Sequence, residues 1–362
     1  MADTKQPAAG EKTMPAWLYA NAGNNLATAL KLDPHARRPP TPLPSDRALV
    51  RVTHASLNPA DYKVPEMGRI ASYLYARSSS ISPGMDFAGV IEEINPTTTT
   101  TTTTTSSSPA LKKGDKVYGR IYGTSFGPLG TYVQPAISSI IKLPPSVSPA
   151  DASTLGTAAG TAYQAIAPYV VPGRGDEVFI NGGSGGVGTY AIQIAARALG
   201  CVVTASCSSR NISLCKDLGA GSVIDYTTSP TAVLDALRAR GRVFRLVVDN
   251  VASPGLYEHA AEYTVPDATY VQIGGGFSMT DMSLLTRRTV LPAFLGGGKR
   301  KFRFLLLQQR QDELAQLGQW LEEGKIRAVI DGDVFAFEDV PKAFEKLKTG
   351  RTRGKIVVKV SD

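Results

Sequence analysis

The glycine-rich segment INGGSGGVG (180–188) constrains the fold of this chain more than any other stretch. The residues before it, GDEVFI (175–180), end in the β-branched and aromatic side chains that are typical of a buried strand. After it, apolar residues recur at helical spacing through TYAIQIAARALG (189–200), and CVVTASC (201–207) has the composition of another strand. We therefore predict a strand, a glycine-rich turn, a helix and a second parallel strand in succession.

This turn has the composition of a phosphate-binding loop. The N-terminus of a helix presents unpaired N–H groups and a partial positive charge, and glycines let a pyrophosphate approach that backbone. Because the glycines stand between a strand and a helix, we interpret them as a dinucleotide-binding turn. The alternative is a turn that only lets the helix and the strand pack closely. The predicted cofactor-binding residues of the turn are Gly182, Ser184, Gly185, Gly186, Val187 and Gly188.

The residues after the second strand indicate which dinucleotide is bound. Folds of this kind that bind NAD usually place Asp or Glu there, where the carboxylate binds the ribose 2′-OH. Here the sequence is SCSSRN (206–211), which has no acid. Ser208, Ser209 and Arg210 carry donors that suit a 2′-phosphate, so NADPH is favoured, although they would also suit a solvated loop. Tyr226 follows the next predicted strand and could flank the adenine.

The formal net charge of the chain is +8, and two basic clusters stand at RARGRVFR (238–245) and GGGKRKFR (296–303). The sequence around them has no helix-turn-helix, zinc finger or aromatic platform, so nucleic-acid binding is not favoured. A solvated surface, or attraction of an anionic cofactor, accounts for the charge more simply.

The composition is that of an ordinary soluble globular protein, with 43% hydrophobic and 19% charged residues. No apolar run approaches the roughly 20 residues of a membrane span, and the N-terminal MADTKQPAAGEKTMP lacks the apolar core of a signal peptide. The three cysteines, Cys201, Cys207 and Cys215, give no sign of a disulfide framework. We therefore predict a cytoplasmic protein that does not associate with membranes.

Two domains are predicted from the 362 residues. The first is strand-rich, whereas from Gly175 onward strands alternate with helices, which is the pattern of a doubly wound parallel sheet. The low-complexity stretch TTTTTTTTTSSSP (97–109) is expected to be a flexible loop. The predicted bounds are 1–152 for the first domain (with a mobile tail at 1–13 and the flexible loop at 97–108), 153–310 for the second, and 311–362 for a return to the first.

Seven motifs follow one another along the chain. They are NPADYK (58–63), SPGMDFAGVI (82–91), GDKVYG (114–119), GTAAGTAYQA (156–165), NGGSGGVG (181–188), VVDNVASP (247–254) and VQIGG (271–275). As a set they resemble the medium-chain dehydrogenase/reductase superfamily and, more narrowly, its zinc-free quinone oxidoreductase and enoyl reductase branch. The resemblance covers nearly the whole chain. It implies an α/β protein in which a mostly-β, GroES-like catalytic domain is interrupted by a Rossmann domain, with the active site in the cleft between them.

The zinc-binding members of this superfamily carry a cysteine near the NPADYK position and a histidine in a Gly-His-Glu turn. In this chain the first segment has neither residue, and the turn is Gly84-Met85-Asp86. A thioether is a poor zinc ligand, and the sequence has no C-x-x-C for a structural zinc site. We therefore expect a metal-free site, and a zinc alcohol dehydrogenase is disfavoured.

A site without zinc ligands favours some reactions over others. Alcohol oxidation passes through an alkoxide that zinc would stabilise. Hydride addition to an α,β-unsaturated carbonyl or a quinone instead spreads the charge over an enolate or phenolate, which hydrogen-bond donors can support.

The resemblance places NPADYK beside the nicotinamide, so the predicted catalytic residues are Asn58, Tyr62 and Lys63. Asn58 would contact the nicotinamide ribose or the substrate oxygen. Lys63 would supply a cationic donor to the cofactor or to the developing enolate. Tyr62 would donate a proton or line the substrate pocket. The alternative is that NPADYK is an ordinary turn without a catalytic role, with Tyr62 in the hydrophobic core.

Other residues are expected at the cofactor or the substrate. By the resemblance, Thr157 contacts the nicotinamide and Lys355 lies near the cofactor. Asn250, Ile273 and Gly274 end later parallel strands, at the edge of the sheet that binds ligands. A hydrophobic substrate pocket could include four further residues, which could equally be core or a subunit surface: Met279, Met282, Leu284 and Leu285.

These observations favour an NADPH-dependent reductase of a small hydrophobic unsaturated carbonyl or a quinone, with the choice between the two left open. NPADYKVPE (58–66) and PGMDFAG (83–89) also look like the stand-alone enoyl reductases that serve fungal polyketide synthases, which suggests a biosynthetic substrate. The alternative is an NADPH-binding protein with a structural or partner role and little turnover. RFLLLQ (303–308) is a candidate edge for a homodimer, and a monomer is the other possibility.

Overall fold

The computed structural model of the protein describes residues 12–67, 81–95, 110–122, 126–253, 255–275, 279–290 and 299–362. The strands in these parts of the chain are β1 (Thr13–Leu18), β2 (Lys31–Arg37), β3 (Ala48–Leu57), β4 (Asp86–Ile94), β5 (Lys116–Arg120), β6 (Tyr132–Val133), β7 (Ile140–Lys142), β8 (Glu177–Asn181), β9 (Val202–Cys207), β10 (Ser222–Asp225), β11 (Phe244–Asp249), β12 (Thr264–Ile273), β13 (Lys301–Leu305) and β14 (Ile356–Lys359). Residues 1–11 of the predicted tail and the predicted loop 97–108 lie outside the described residues.

The helices alternate with strands in the middle of the chain. Those in the described parts are α1 (Leu26–Ala29), α2 (Pro59–Glu66), α3 (Pro149–Ala152), α4 (Gly160–Ile166), α5 (Gly186–Gln193), α6 (Ile212–Leu218), α7 (Ala232–Arg240), α8 (Ala260–Tyr263), α9 (Met279–Val290), α10 (Gln311–Glu322) and α11 (Val340–Lys348). A π-helical turn continues α5 over Ile194–Ala198, and another precedes α4 over Leu155–Ala159. None of the described helices is long and apolar enough to cross a membrane.

One of two compact units contains the described residues from 158 to 308, together with 323–329. Its sheet has six strands in the order β10-β9-β8-β11-β12-β13, and every neighbouring pair is parallel. The chain order reverses between β8 and β11, which is the topology of a Rossmann sheet. Ligands of such sheets bind outside the carboxyl ends of the strands at this reversal. The predicted doubly wound parallel sheet is confirmed.

The central strands of this sheet are held by an apolar core. Phe179 of β8, Phe244 and Val247 of β11 and Tyr270 of β12 are almost completely buried, and they pack with Leu237 of α7. Continuous runs of apolar residues, without alternating polar ones, are typical of parallel strands that are covered on both faces. Polar side chains appear where β8 and β11 end, so the core fixes the position of the groups at that edge.

The other compact unit is formed by the described residues up to 157, with 309–322 and 330–362. Its main sheet is antiparallel, in the order β14-β3-β4-β5-β7, with β6 also paired to β3. A second, two-stranded sheet pairs β1 with β2. Near the end of the chain, β14 lies against β3 with Val357 opposite Ser56. The predicted mostly-β, GroES-like part of the fold is therefore confirmed, and with it the α/β class.

The core of this unit joins the sheet to the last helix. Val340, Ala343, Phe344 and Leu347 recur at helical spacing on α11 and are buried. They share one apolar cluster with residues of β3, β4, β5 and β14, among them Phe87. This packing fixes β14 against β3, which brings the C-terminal segment to the beginning of α2.

Candidate active site

The glycine turn follows β8 directly, and α5 begins at Gly186. Gly182 has a φ of +77°, in the left-handed region that favours glycine. A Cβ atom on Gly188 would overlap the carbonyl oxygen of Gly182, and one on Gly183 would lie 2.9 Å from the Ala205 Cβ. A Cβ on Gly185, in contrast, would meet only the Gly182 oxygen at 3.7 Å. The turn is therefore tight on its protein side and open at the N-terminus of α5, and these residues fit a pyrophosphate.

A buried polar network holds the base of this turn. Ser206 donates to Asn181 Oδ1 at 2.5 Å and accepts the Gly182 N–H at 3.0 Å. Asn181 Nδ2 donates to Asp249 Oδ1 at 2.8 Å, and Asp249 also accepts the Tyr270 hydroxyl at 2.6 Å. The carboxyl ends of β8, β9, β11 and β12 are thereby cross-linked, which holds the turn rigid. Gly182 was predicted as a cofactor-binding residue, whereas Asn181, Ser206, Asp249 and Tyr270 were not. The signal in the sequence for the first three is a polar residue at or near the end of an apolar strand.

Ser208, Ser209 and Arg210 follow β9, beside the turn. Ser208 is half-buried, whereas Ser209 and Arg210 are exposed. Asn211 Nδ2 donates to Ser184 Oγ at 3.0 Å and to Ser208 Oγ at 3.3 Å, and this links the segment to the glycine turn. The three residues predicted to bind a 2′-phosphate thus stand next to the predicted pyrophosphate site.

An acid from a different strand also reaches this region. Asp225 ends β10, which pairs with β9 so that Asp225 is opposite Cys207. Its carboxylate accepts the Thr227 N–H at 2.9 Å and the Thr227 hydroxyl at 2.6 Å. These bonds, together with weaker ones from Ser209, hold the pKa of Asp225 below its usual value. Tyr226, predicted to flank the adenine, is exposed.

The other residues predicted to bind cofactor in this unit lie at the same edge of the sheet. Asn250 follows β11 and its Nδ2 donates to the carbonyl oxygen of Asn181 at 2.9 Å. Ile273 ends β12 and is half-buried, and Gly274 follows it with a φ of +69°. Because β11 pairs in parallel with β8, and β12 pairs in parallel with β11, all three residues share the carboxyl edge with the glycine turn.

In the first unit, the polar residues converge on the buried carboxylate of Asp86. Asn58 Nδ2 donates to its Oδ2 at 2.9 Å, and the Thr157 hydroxyl donates to its Oδ1 at 2.7 Å. Lys355 lies 3.8 Å from Oδ2, and its ammonium group donates to Asn58 Oδ1 and to the Leu57 carbonyl. Three predicted site residues are thus joined by Asp86, which was not predicted. Lys355 is only 3% exposed, and burial lowers its pKa.

Asp61 is a second buried carboxyl group in the same unit. It is the N3 residue of α2, and its Oδ2 accepts the Asn58 N–H at 2.7 Å in a capping box. Its Oδ1 has no hydrogen-bond partner within the described chain. Burial raises its pKa to about 7, and Asp86 adds to the increase. Asp61 lines a cavity together with Tyr19, Ser82 and Met85.

Tyr62 and Lys63 lie on α2 but outside the hydrogen bonds described around Asp86. Tyr62 is half-buried against the apolar cluster of this unit, with the Lys348 ammonium 5.5 Å from its ring centre. Lys63, in the last turn of α2, is exposed. Their predicted roles remain hypotheses. Of the predicted substrate-pocket residues, Leu284 and Leu285 are half-buried on α9, while the side chains of Met279 and Met282 lie outside the described residues.

The described residues contain no group of three His, Cys, Asp or Glu side chains that could hold a metal ion. At the turn where zinc-binding relatives would have histidine, the Met85 sulfur lies 3.5 Å from Arg120 Nη2. A metal-free site stays a prediction from the ligand chemistry of the sequence.

Two family models match this chain. The model of the alcohol dehydrogenase GroES-like domain matches residues 44–145, and that of a zinc-binding dehydrogenase matches residues 218–358. These matches agree with the two folds described above.

Individual relatives match over almost the whole chain. A trans-enoyl reductase of Aspergillus terreus is 39% identical over 361 residues, covering 97% of this chain and 97% of that protein. A 2-methylene-furan-3-one reductase of Solanum lycopersicum is 30% identical, covering 95% of this chain and 79% of that protein. The solved structure of the quinone oxidoreductase from Coxiella burnetii has a TM-score of 0.77 at 29% identity, covering 97% of this chain and all of that one. The chain thus belongs to the medium-chain dehydrogenase/reductase superfamily, as an enzyme of the enoyl reductase and quinone oxidoreductase type.

Proposed function

We propose that this enzyme is an NADPH-dependent reductase that adds hydride to an activated C=C bond of an enone or enoyl compound, or to a quinone. The observation that carries the proposal is the glycine turn, open at the N-terminus of α5, with Ser208, Ser209 and Arg210 beside it. A helix N-terminus suits a pyrophosphate, and hydroxyl and guanidinium groups suit a 2′-phosphate. The names of the relatives, trans-enoyl reductase, 2-methylene-furan-3-one reductase and quinone oxidoreductase, support the class of acceptor.

NADPH is proposed over NADH despite the carboxylate of Asp225. An acid that selects NADH would use its oxygens to accept the ribose 2′-OH. One oxygen of Asp225 already accepts two hydrogen bonds from Thr227, and Ser209 binds the same carboxylate. The guanidinium of Arg210 is exposed on the adjoining turn, where it can pair with a phosphate dianion.

The nicotinamide end of the cofactor is proposed to bind near the Asp86 cluster, which is formed by Asp86 with Asn58, Thr157 and Lys355. When bound, NADPH supplies the hydride. Thr157 and Asn58 would orient the nicotinamide and its ribose, because Asp86 fixes both side chains. Lys355 would act through Asn58, since its ammonium group is buried against the Asn58 amide oxygen. Lys63 would supply a cation to the cofactor or to the substrate oxygen, as the resemblance implies.

The acceptor is proposed to be a small hydrophobic molecule. The match to a trans-enoyl reductase supports a biosynthetic role, and the sequence resemblance points to a fungal polyketide synthase as the source of the substrate. A cytoplasmic location, and a monomeric or homodimeric state, remain predictions from the sequence.

The experiment that tests this function combines binding with turnover. Affinities of the purified protein for NADPH and NADH are measured by fluorescence titration, and oxidation of each is then followed with a small enal, an enoyl thioester and a benzoquinone. We expect tighter binding of NADPH and turnover with at least one acceptor. Tight NADPH binding without turnover of any acceptor would instead favour the structural or partner role. Chelator treatment should leave the activity unchanged; a loss that zinc restores would contradict the metal-free site.

A further inference from the structure

Arg120 is a buried cation that the sequence did not single out. It ends β5, directly opposite Asp86 of β4, and is 9% exposed. Its Nε donates to the Thr157 hydroxyl at 3.1 Å, and its guanidinium carbon lies 5.2 Å from the ring centre of Tyr122. Its Nη2 lies 3.5 Å from the Met85 sulfur, a weak acceptor. Its Nη1 is buried and has no hydrogen-bond partner among the residues that the structure describes.

This arrangement is unfavourable for the protein alone. Buried charges are normally paired, and a buried donor without an acceptor costs about 1–3 kcal/mol or more when it is charged. Asp86 is opposite Arg120 in the pairing of β4 with β5, yet the described ion pairs include none between the two residues. The Thr157 hydroxyl stands between them, accepting from Arg120 and donating to Asp86. Both Asp86 oxygens are already hydrogen-bonded, one to Thr157 and the other to Asn58.

The buried ionisable groups around Asp86 form a cluster with a net positive charge near neutral pH. Lys355 and Arg120 are the cations, and Asp86 and Asp61 are the acids. Burial raises the pKa of Asp61 to about 7, so near neutral pH a substantial fraction of the molecules has this group protonated. The cluster then contains two cations and one anion, and an additional negative charge is electrostatically favourable there.

The surroundings of Arg120 define the kind of ligand that would complete it. Met85, the neighbour of Arg120 Nη2, lines a cavity together with Asp61 and Ser82. The Oδ1 of Asp61 and the hydroxyl of Ser82 are buried and have no hydrogen-bond partner in the described residues. Tyr122, which is 53% exposed, offers an aromatic face next to the guanidinium. A flat conjugated ligand with one oxygen that gains negative charge matches these features.

We propose that Arg120 Nη1 donates a hydrogen bond to the substrate oxygen on which negative charge develops during reduction. The inference rests on the proposed reductase function. For an unsaturated carbonyl, hydride forms a new C–H bond at the β carbon, the C=C π bond breaks, and its electron pair moves onto the carbonyl oxygen as an enolate. A proton taken up from water then restores the carbonyl, and NADPH is left oxidised. For a quinone, the corresponding oxygen becomes that of a phenolate. Arg120 is thus proposed as a catalytic residue, with Asp86 and Thr157 positioning it.

The test compares Arg120→Met and Arg120→Lys with the wild type, with Arg51→Met as the matched control. Arg51 also lies in this sheet, on β3, and is paired with Glu92 at 3.2 Å. With saturating NADPH and an enal, Arg120→Met should lower kcat by about 10²-fold, the lower range for losing one preorganised donor. Arg120→Lys, which keeps the charge, should recover part of that loss. Arg51→Met should keep wild-type kcat.

Two measurements without turnover separate this role from a structural one. The unfolding temperature of Arg120→Met should equal or exceed that of the wild type, because the variant removes a buried charge that has no ion pair within the described residues. The cofactor-free wild type should bind the 4-nitrophenolate anion, and Arg120→Met should bind it at least about tenfold more weakly.

Several results would overturn the proposal. One is a kcat for Arg120→Met in the wild-type range. Another is an NADPH affinity that falls as much as kcat does, which would assign Arg120 to the cofactor. A lower unfolding temperature with unchanged kcat per folded molecule would make Arg120 structural. If Arg120→Met does not fold, Arg120→Lys and the wild-type phenolate titration decide. Failure of the wild type to bind or oxidise NADPH would overturn the reductase function itself.

Discussion

At the residue scale, Asp61 couples the charge state of the site to the stability of the fold. Burial raises its pKa from 3.8 to about 7, Asp86 adds to the increase, and the bond from the Asn58 N–H, with Lys355 and Arg120, opposes it. The folded protein therefore binds this proton more tightly than the unfolded chain does. The stabilisation is fully present below about pH 4 and is lost as the pH rises towards about 7.

Asp61→Asn should remove this pH dependence while keeping an oxygen for the Asn58 N–H. The free energy of unfolding of both proteins is measured in urea at about pH 5 and about pH 8. Relative to the wild type, the variant should gain on the order of 2–3 kcal/mol between these two conditions, since one pKa unit is worth about 1.4 kcal/mol. A difference between the proteins that is the same at both pH values would show that Asp61 is ionised throughout. Tyr19, whose pKa is raised to about 12, does not titrate in this range.

Arg210 carries the proposed preference for NADPH. A charge-assisted bond to the 2′-phosphate is worth about 1.5–3 kcal/mol. Arg210→Ala should therefore weaken NADPH binding by roughly ten- to a hundredfold and change NADH binding little. Titration of each variant with both dinucleotides measures this, with Arg242→Ala, another exposed arginine of the same unit, as control. Equal losses for NADPH and NADH would mean that Arg210 does not bind the 2′-phosphate.

At the scale of elements, the glycine turn is defined by backbone contact. Gly188→Ala would place a Cβ on the carbonyl oxygen of Gly182, so the turn or the first residues of α5 must shift. We expect a loss of about 1–3 kcal/mol in stability, typical of overpacking, and at least a tenfold weaker affinity for NADPH. Gly221→Ala is the matched control, because its Cβ would meet only the Val203 oxygen at 3.7 Å. Urea unfolding and NADPH titration of both variants check this; equal behaviour of the two would refute the close-contact explanation.

The elements themselves were largely predictable from the sequence, because their signals are local. The apolar strand, glycine turn and helix around residues 175–200 appear where their composition and spacing predicted them. The contacts between elements were not predictable in the same way. Asp225 reaches Ser209 through the pairing of β10 with β9, and Arg120 faces Asp86 through the register of β5 and β4. Register depends on how whole strands align, which single residue types do not encode.

At the scale of the whole molecule, the path of the chain assembles the Asp86 cluster. β14 pairs with β3, and this places Lys355 beside Asn58, which is 297 residues earlier. The resemblance to a family pointed to both residues and to Thr157, but not to the carboxylate that joins them. A buried acid such as Asp86 has no pattern of its own in the sequence, since its role follows from the partners that the fold brings to it.

The protein is proposed to transfer hydride from NADPH to an electrophilic carbon of its acceptor. The most direct measurement uses NADPH carrying deuterium at nicotinamide C4, with an enal as acceptor, and locates the label in the saturated product by mass spectrometry and NMR. One deuterium at the β carbon, with the α hydrogen taken from water, is the predicted result. A saturated product that lacks this deuterium, or an alcohol labelled at the carbonyl carbon, would contradict the account.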